Sequence, residues 1–228
     1  MPRAQQMREL MAAARQVFDE RGVEDAQMED IAQAAGISKG AIYRHFASKD
    51  ELRVSTVVVY LDELGALLED VPRNGDPVEE LLDVASTYLR YGMDHPAFLD
   101  CCLALLRHPA EELAEEVSLA MMLRVTQAMA RSLRVLIAVL ERGRESGAFE
   151  LDDPDVWANY WYARALGSLH LTRVGAIVCP NASDVPAFRA ISPEQVEDVA
   201  LQDMLADVGV ADARGRVASW RAQVATLR

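Results

Sequence analysis

The sequence has few cysteines and no long apolar run. Three cysteines in 228 residues cannot form a disulfide framework, and such usage is typical of a reducing compartment. The opening MPRAQQMREL lacks the apolar segment of a secretory signal, and the longest apolar stretches, such as residues 135–140, are too short to cross a bilayer. We therefore expect a globular cytoplasmic protein with no membrane partner.

The short motifs of several enzyme classes are also missing. The chain has four histidines, and none lies in a recognisable nucleophile–base arrangement; neither HExxH nor GxxxxGK[ST] occurs. We predict that the protein is not an enzyme and needs no catalytic residue and no cofactor.

Two adjacent cysteines, Cys101 and Cys102, lie between His95 and His108 and raise the question of a metal site. Each histidine is seven residues from one of the cysteines, which on a helix places the pair on one face but about 10 Å apart. A ligand set needs i, i+3 or i+4 spacing, or partners from elsewhere. We predict buried core cysteines and no metal, with metal or thiol sensing as the less favoured alternative.

Acidic residues outnumber basic ones over the whole chain, which by itself argues against a nucleic-acid binder. The two parts of the chain, however, differ in net charge. The formal net charge is −13, yet residues 1–53 carry only −1 and residues 54–228 carry −12. A near-neutral head can still present a local basic face, while an acidic body weakens non-specific adhesion to DNA.

Apolar spacing and capping residues predict helices almost everywhere. A first helix over residues 3–20 is ended by Gly22, and a short second helix is ended by Gly36. A third helix begins at Ser38, and a fourth begins at a capping box over residues 48–51. The prediction is an all-α protein with a three-helix helix-turn-helix head and a larger helical body.

In the body, several helices are predicted to begin at a proline in the first turn, and some are predicted to end at a glycine. A loop of about 16 residues is predicted over 176–191, and no strand is predicted anywhere. The body helices are predicted over residues 76–95, 96–108, 111–146, 154–174 and 193–209.

The segment DIAQAAGISKGAIYRHFASKDEL, residues 30–52, holds two short helices joined by a tight turn. On a helical wheel of residues 38–46, Ile42 and Phe46 share the inner face, while the outer face is polar. This is the pattern of a helix-turn-helix unit whose second helix enters the major groove. The outer side chains are not needed for folding, so they indicate a ligand outside the protein.

Each outer residue suits a particular contact with DNA. A helix start at Ser38 directs free backbone N–H groups at a phosphate, and Gly40 allows a close approach. Arg44 can donate two hydrogen bonds to guanine, and Tyr43 and His45 can donate to phosphate. A plainer alternative for Tyr43 and His45 is that they pack against the fourth helix. For Lys39 and Lys49 the alternative is that they are ordinary solvated charges.

The N-terminal 50 residues resemble the DNA-binding head of the TetR family of bacterial repressors. The resemblance implies a homodimer, an inverted-repeat operator in double-stranded DNA and a pocket for an unidentified small-molecule inducer in the larger domain. It also implies a DNA-binding domain over residues 1–50 and a ligand-binding and dimerisation domain over 51–228. The matching residues are Gly22, Asp30-Ile31-Ala32, Ala35-Gly36-Ile37-Ser38, Gly40, Tyr43, His45-Phe46 and Ser48-Lys49-Asp50-Glu51-Leu52.

One position departs from the family pattern. Where the family commonly has Thr or Ser capping the second helix and touching phosphate, this chain has Gln27. Gln is a poor N-cap, so Asp25 is an alternative cap. We keep Gln27 among the expected DNA contacts.

The body offers weaker candidates. An inducer is expected among the helices of residues 77–175, and the two late helices carry more apolar surface than one domain needs, which predicts a dimer interface. The expected ligand-lining residues are Tyr88, Phe98, Met122, Arg124, Trp157, Trp161, Arg164 and His170. The expected interface residues are Tyr160, Gly167, Val174, Val196, Val199 and Ala200.

The function expected from these features is a transcriptional repressor released from its operator by a small, mostly apolar ligand. The alternative is a DNA-binding regulator with no small-molecule input, either constitutive or controlled by a protein partner.

Overall fold

The computed structural model describes residues 3–73, 75–106, 117–180 and 187–226. Within these ranges the helices are α1 (Arg3–Arg21), α2 (Met28–Ala34), α3 (Lys39–His45), α4 (Lys49–Glu69), α5 (Pro77–Asp94), α6 (Pro96–Leu106), α7 (Leu119–Glu145), α8 (Pro154–Val174), α9 (Pro193–Asp207) and α10 (Ala213–Thr226). Two short strands, β1 (Ala176–Cys179) and β2 (Ala187–Ala190), separate α8 from α9. The helical head and body predicted from the sequence are confirmed.

Local capping explains where several of these helices begin. The Ser38 Oγ accepts from the N–H of Ala41 at the start of α3, and Asp153 accepts from two N–H groups at the start of α8. Ser192 and Gln195 form a full capping box at the start of α9. Each cap satisfies backbone donors that the first helical turn leaves free.

The chain divides into two compact units. Unit 1 comprises Met1–Ala66 and His95–Arg131, and unit 2 comprises Leu67–Asp94 and Ser132–Arg228. These limits follow packing, so the functional division at residue 50 remains a prediction.

Unit 1 holds the head together with α6 and most of α4. The guanidinium of Arg15 lies 4.3 Å from the ring centroid of the buried Tyr60 and donates to Glu63, which ties α1 to α4. Asp19 accepts from the backbone N–H of Ala97 at 3.4 Å, so α1 also contacts the first turn of α6. The start of α6 is therefore held by the same helix that supports the head.

Unit 2 is organised around a buried carboxylate. Glu197 of α9 accepts from the hydroxyl of Ser86 at 2.6 Å and from Arg90 Nε at 3.2 Å, both on α5. It also pairs with Arg221 of α10 at 3.0 Å. Three helices thus meet at one charge, which must remain paired because burying an unpaired charge is costly.

The hairpin corrects the prediction that residues 176–191 form a loop and that the chain has no strand. β1 and β2 pair antiparallel, with Val178 opposite Phe188. Strands of four residues are too short to show a clear alternation in the sequence, although Ile177 and Val178 favour extended backbone. The predicted positions 181–186 lie outside the described residues.

Two further differences concern helix bounds. The helix predicted over residues 111–146 begins at Leu119, because Ser118 is its N-cap and accepts from the N–H of Met121; residues 111–116 lie outside the described residues. Helix α10 was not predicted, although Asp212 caps it and Val217 and Trp220 are buried at helical spacing.

Within the described residues no helix is long and apolar enough to cross a membrane. Cys101 and Cys102 are buried in α6, as predicted, and burial raises the pKa of the Cys101 thiol. No group of three metal-ligating side chains occurs among the residues that the structure describes; His108 lies outside them.

Candidate nucleic-acid interface and ligand pocket

The two short helices of the head are joined by a tight turn. Gly36 adopts a left-handed conformation with φ of 65°, and the N–H of Ile37 donates back to Ala32 at 2.9 Å. A side chain with a Cβ is strained at such a φ, which explains the glycine after α2. The turn places Ser38, the N-cap of α3, two residues after Gly36.

Helix α3 has one buried face and one exposed face. Ala41, Ile42 and the following Phe46 are buried, whereas Gly40 and Arg44 are exposed and Tyr43 is 44% exposed. This division agrees with the helical wheel, and the exposure of Tyr43 argues against a packing role. The half-buried His45 lies beside Phe46, with ring centroids 6.4 Å apart.

The exposed face is open at its centre. A Cβ built on Gly40 would meet no atom within 4 Å, so nothing in the described chain covers this point. The Arg44 guanidinium folds back and donates to the carbonyl of Gly40 at 3.2 Å. That bond is on the surface and between neighbours on one helix, so the side chain can exchange it for an outside acceptor.

Residues 36–40 read Gly-Ile-Ser-Lys-Gly and match the GxSxG pattern of hydrolase nucleophile elbows. That chemistry needs a strand before the serine and a helix after it, whereas here the serine lies between two helices. The Ser38 hydroxyl accepts from the backbone N–H of Ala41 as a helix cap. The match is therefore a coincidence of composition.

Both predicted lysines have partners within the head. Lys39 forms an ion pair with Glu29 of α2, which raises the pKa of Lys39 and lowers the pKa of Glu29 through the hydrogen bond that they share. Lys49 donates to the backbone carbonyl of Glu24 at 2.6 Å. Neither lysine is a simple solvated charge, and sequence reasoning missed the part played by Glu29.

Gln27 is the N-cap residue of α2, and its backbone N–H donates to the carboxylate of Asp30 at 3.1 Å. Its own side-chain amide donates to the carbonyl of Asp25 at 3.2 Å. The alternative of Asp25 as the cap residue is therefore wrong, because the N-cap lies two residues later.

The predicted ligand-lining residues fall in both units. Phe98, Met122 and Arg124 belong to unit 1, where the fully buried Phe98 packs against Tyr60 at 5.9 Å between ring centroids. The other five belong to unit 2: Tyr88, Trp157, Trp161, Arg164 and His170.

In unit 2 the aromatic residues form part of the core. The rings of Tyr88 and Trp161 lie 5.7 Å apart, and Tyr162 lies on another side of Tyr88. Trp157 is half-buried and His170 is exposed. Arg164 is engaged by two carboxylates on α9: Asp203 and Asp207.

A different part of unit 2 contains a narrow pocket, where the end of α4 meets α5 and α7. Most of its wall is apolar, and an ion pair between Glu80 and Arg142 forms one side. Its free space holds about one water molecule. The lining residues, none of which was predicted, are Leu68, Val71, Pro72, Arg73, Glu80, Val84, Val135, Ala138, Val139 and Arg142.

These pocket residues gave only weak signals in the sequence. Val135 and Val139 are four residues apart, which marks a buried helix face but not a cavity. Glu80 lies in the first turn of α5, where a carboxylate is common, and nothing in the sequence indicates that it is buried beside Arg142. Only the meeting of three helices distinguishes these positions.

Helix α8 carries an exposed stripe at spacings of four and three residues. Three of the predicted interface residues lie on it, namely Tyr160, Gly167 and Val174. On α9, Val199 is exposed and Ala200 is half-buried, whereas Val196 is only 4% exposed and faces the core of its own unit. Val196 is therefore removed from the candidate interface. The full stripe, called the α8 stripe below, is Val156, Tyr160, Ala163, Gly167, His170 and Val174.

Comparison with known proteins identifies relatives of the head. The model of the family described as "Bacterial regulatory proteins, tetR family" matches residues 10–55. The transcriptional activator FasR of Mycolicibacterium smegmatis is 41% identical over 64 residues, which are 28% of this chain and 29% of that protein. The chain thus matches under a third of the length of that relative.

A longer match is found with the transcriptional repressor KstR2 of Mycobacterium tuberculosis. The two are 28% identical over 178 residues, covering 73% of this chain and 86% of KstR2.

Several solved structures share the fold of this chain. The TetR family regulator PfmR from Thermus thermophilus has a TM-score of 0.61 and 23% identity, with 89% of this chain and 98% of PfmR covered. FadR from Bacillus subtilis, in complex with stearoyl-CoA, has a TM-score of 0.65 and 17% identity, with 89% and 99% covered. RolR in complex with resorcinol has a TM-score of 0.63 and 19% identity, with 94% of each chain covered.

Proposed function

The chain is a DNA-binding transcriptional regulator of the TetR family, and from that premise we propose that it is a homodimeric repressor released from its operator by a small, mostly apolar ligand. The exposed polar face of α3, above a fully packed inner face, is the observation that carries this proposal. Regulators of this family bind DNA and form dimers.

In the proposed complex α3 lies in the major groove of each half-site. Arg44 leaves the carbonyl of Gly40 and donates to a guanine edge, while Tyr43 and His45 donate to phosphates. Five further residues contribute phosphate contacts or close approach: Gln27, Ser38, Lys39, Gly40 and Lys49.

Repression is proposed rather than activation because of the extent of the two matches. The likeness to the repressor KstR2 covers most of both chains, whereas the likeness to the activator FasR covers less than a third of each. The sign of regulation depends on more than the DNA contacts, so the longer match is the better guide.

The narrow pocket is the proposed ligand site. Two structural neighbours hold ligands with an apolar part, an acyl chain in stearoyl-CoA and an aromatic ring in resorcinol. Most of the pocket wall here is apolar, and Arg73 and Arg142 supply charge at one side. These features favour an amphipathic compound whose apolar part enters the pocket.

A ligand of that size has to displace side chains, because the pocket is nearly filled. Leu68 of α4 lines the pocket together with Val139, so a ligand that enters between them displaces the end of α4. Helix α4 is continuous from Lys49, beside the head, to Glu69. Displacement of one end therefore reaches α3, and a ligand that prefers the displaced state by about 1–3 kcal/mol releases DNA about 5–150-fold.

The experiment is a selection of bound sequences from random DNA, followed by footprinting and a ligand screen on the selected site. We expect a protected inverted repeat with half-sites separated by whole or near-whole helical turns. A panel of acyl-CoA thioesters and small phenols should contain a compound that raises the melting temperature and weakens operator binding. Footprinting that protects a site without inverted symmetry would refute the proposed dimeric operator, and selection that enriches no sequence would refute specific DNA binding.

The narrowness of the pocket also favours a second candidate, a regulator with no small-molecule input. In that case the Glu80–Arg142 pair simply completes a packed core, and control comes from a protein partner or is absent. Operator binding that no compound weakens, together with a body that no compound stabilises, would select this candidate.

A further inference from the structure

The β1–β2 hairpin is rooted directly on the two late helices. Gly175 ends α8, and its carbonyl accepts from the N–H of Ile191 at 3.1 Å, which closes the base of the hairpin next to the start of α9. No third strand accompanies the pair in the described part of the chain. A two-stranded hairpin alone in water is only marginally stable, so this one needs a covering surface.

One face of the hairpin is entirely apolar. In the register of the two strands, Ala176 lies opposite Ala190 and Val178 lies opposite Phe188. Because side chains alternate between the two faces of a strand, these four residues lie on the same face of the hairpin. Val178 is 61% exposed and Phe188 is 76% exposed. Exposed aromatic residues opposite exposed β-branched residues indicate a contact surface rather than a solvated edge.

We propose that this face, formed by Ala176, Val178, Phe188 and Ala190, is a dimerisation arm that packs against a second copy of the chain. The inference rests on the homodimer of the proposed function and adds a surface to it.

The area that a stable dimer requires supports the second copy as occupant. A specific interface buries about 800 Å² on each partner, contributed by about 20–30 residues. The α8 stripe has six residues, and two of its central members are Ala163 and Gly167. The stripe ends at Val174, one residue before Gly175, so the hairpin face continues it along the chain.

The test is sedimentation of the full-length Val178→Thr/Phe188→Thr double variant. Threonine retains the preference for extended backbone while removing most of the apolar area. We expect the dimer dissociation constant to rise about 10- to 100-fold, with the circular dichroism of the helices unchanged. The matched control is Leu119→Gln/Leu123→Gln, which removes two exposed apolar side chains from α7 and should leave the dimer intact.

Hydrogen exchange gives a second measurement that does not depend on a variant. The amides of residues 176–179 and 187–190 should exchange more slowly above the dissociation constant than below it. Protection that is independent of concentration would mean that the hairpin packs on its own chain, and it would overturn the proposal.

The outcomes also separate this inference from the function on which it rests. A monomeric unmodified protein at micromolar concentration would refute the homodimer itself and the arm with it. A dimeric unmodified protein whose double variant dimerises equally well, or whose α7 control weakens it as much, would refute the arm alone.

Discussion

Lys39, the first residue of α3, is ion-paired with Glu29, the second residue of α2. The cation nearest the start of the proposed recognition helix is therefore held by a carboxylate of the preceding helix. A phosphate has to compete with that carboxylate for Lys39, so Glu29 reduces the contribution of Lys39 to DNA binding.

Neutralising this carboxylate should strengthen binding to DNA. We expect Glu29→Gln to tighten operator binding about 2- to 5-fold at low salt, because a surface pair of this kind is weak. Fluorescence anisotropy across a salt series measures the change. Glu20→Gln, the same loss of charge at the end of α1, is the control and should have a smaller effect. An equal gain in a Lys39→Ala background would show that Glu29 does not act through Lys39.

The guanidinium of Arg44 should carry sequence preference. Arg44→Ala is expected to cost about 1–3 kcal/mol of operator binding and to relax the preferred sequence, since a bidentate contact with guanine is lost. Lys49→Ala should weaken all sequences alike and flatten the salt dependence. Competition with operators mutated at single positions distinguishes the two, and an Arg44→Ala protein with unchanged preference would contradict the placement of α3.

The buried carboxylate of unit 2 should dominate its stability. Glu197→Gln removes the charge that faces Arg90 and Arg221, and it should lower the free energy of unfolding by about 3 kcal/mol. Chemical denaturation measures this. Glu194→Gln, an exposed carboxylate in the first turn of the same helix, is the control.

The same group predicts a dependence of stability on pH. Burial opposes ionisation, yet the hydrogen bonds from Ser86 and Arg221 outweigh it and hold the pKa of Glu197 below its ordinary value. A depressed carboxyl pKa contributes stability that is complete above the unfolded value of about 4.3 and is lost as the pH falls toward the folded value. Denaturation series from pH 6 to pH 3 should therefore show a steeper loss for the unmodified protein than for Glu197→Gln.

Filling the narrow pocket should abolish the response to the ligand without abolishing DNA binding. Ala138→Leu places three additional carbon atoms among Val84, Val135 and the other walls, so it should block ligand entry while operator binding persists. Ala120→Leu, on the exposed first turn of the same helix, is the control. Unchanged release of the Ala138→Leu protein by a ligand would place the ligand site elsewhere.

A charge on the α8 stripe should prevent association. Gly167→Glu improves helix propensity and meets open space in the single chain, so the subunit should fold. In the proposed dimer the carboxylate would be buried without a partner, and sedimentation should show monomers. Gln127→Glu, exposed on α7, introduces the same charge outside the stripe and should remain dimeric.

Local chemistry explains which features could be predicted from the sequence. The start of α3 after Ser38 and the end of α8 at Val174 depend on a few adjacent residues, and both were predicted correctly. The inner face of α3 follows from helical spacing alone, as Ile42 and Phe46 show.

The missed features depend on contacts between distant parts of the chain. Whether Val196 faces its own core or a partner is decided by α5 and α10, which no spacing rule on α9 reveals. The pocket arises where Leu68, Val84 and Val139 of three helices meet. Strands of four residues such as β1 are stabilised by their partner strand, so neither strand is distinctive alone.

Helix α4 has 21 residues, which at 1.5 Å per residue makes a rod about 30 Å long. A tilt of only about 5° at one end of such a rod moves the other end by about 2.6 Å. Two half-sites in the major groove fix the separation of the recognition helices at about 34 Å, so displacements of that size in both subunits are enough to spoil the fit. In the proposed mechanism, the length of this single helix is what enables a pocket with room for about one water molecule to control occupancy of an operator.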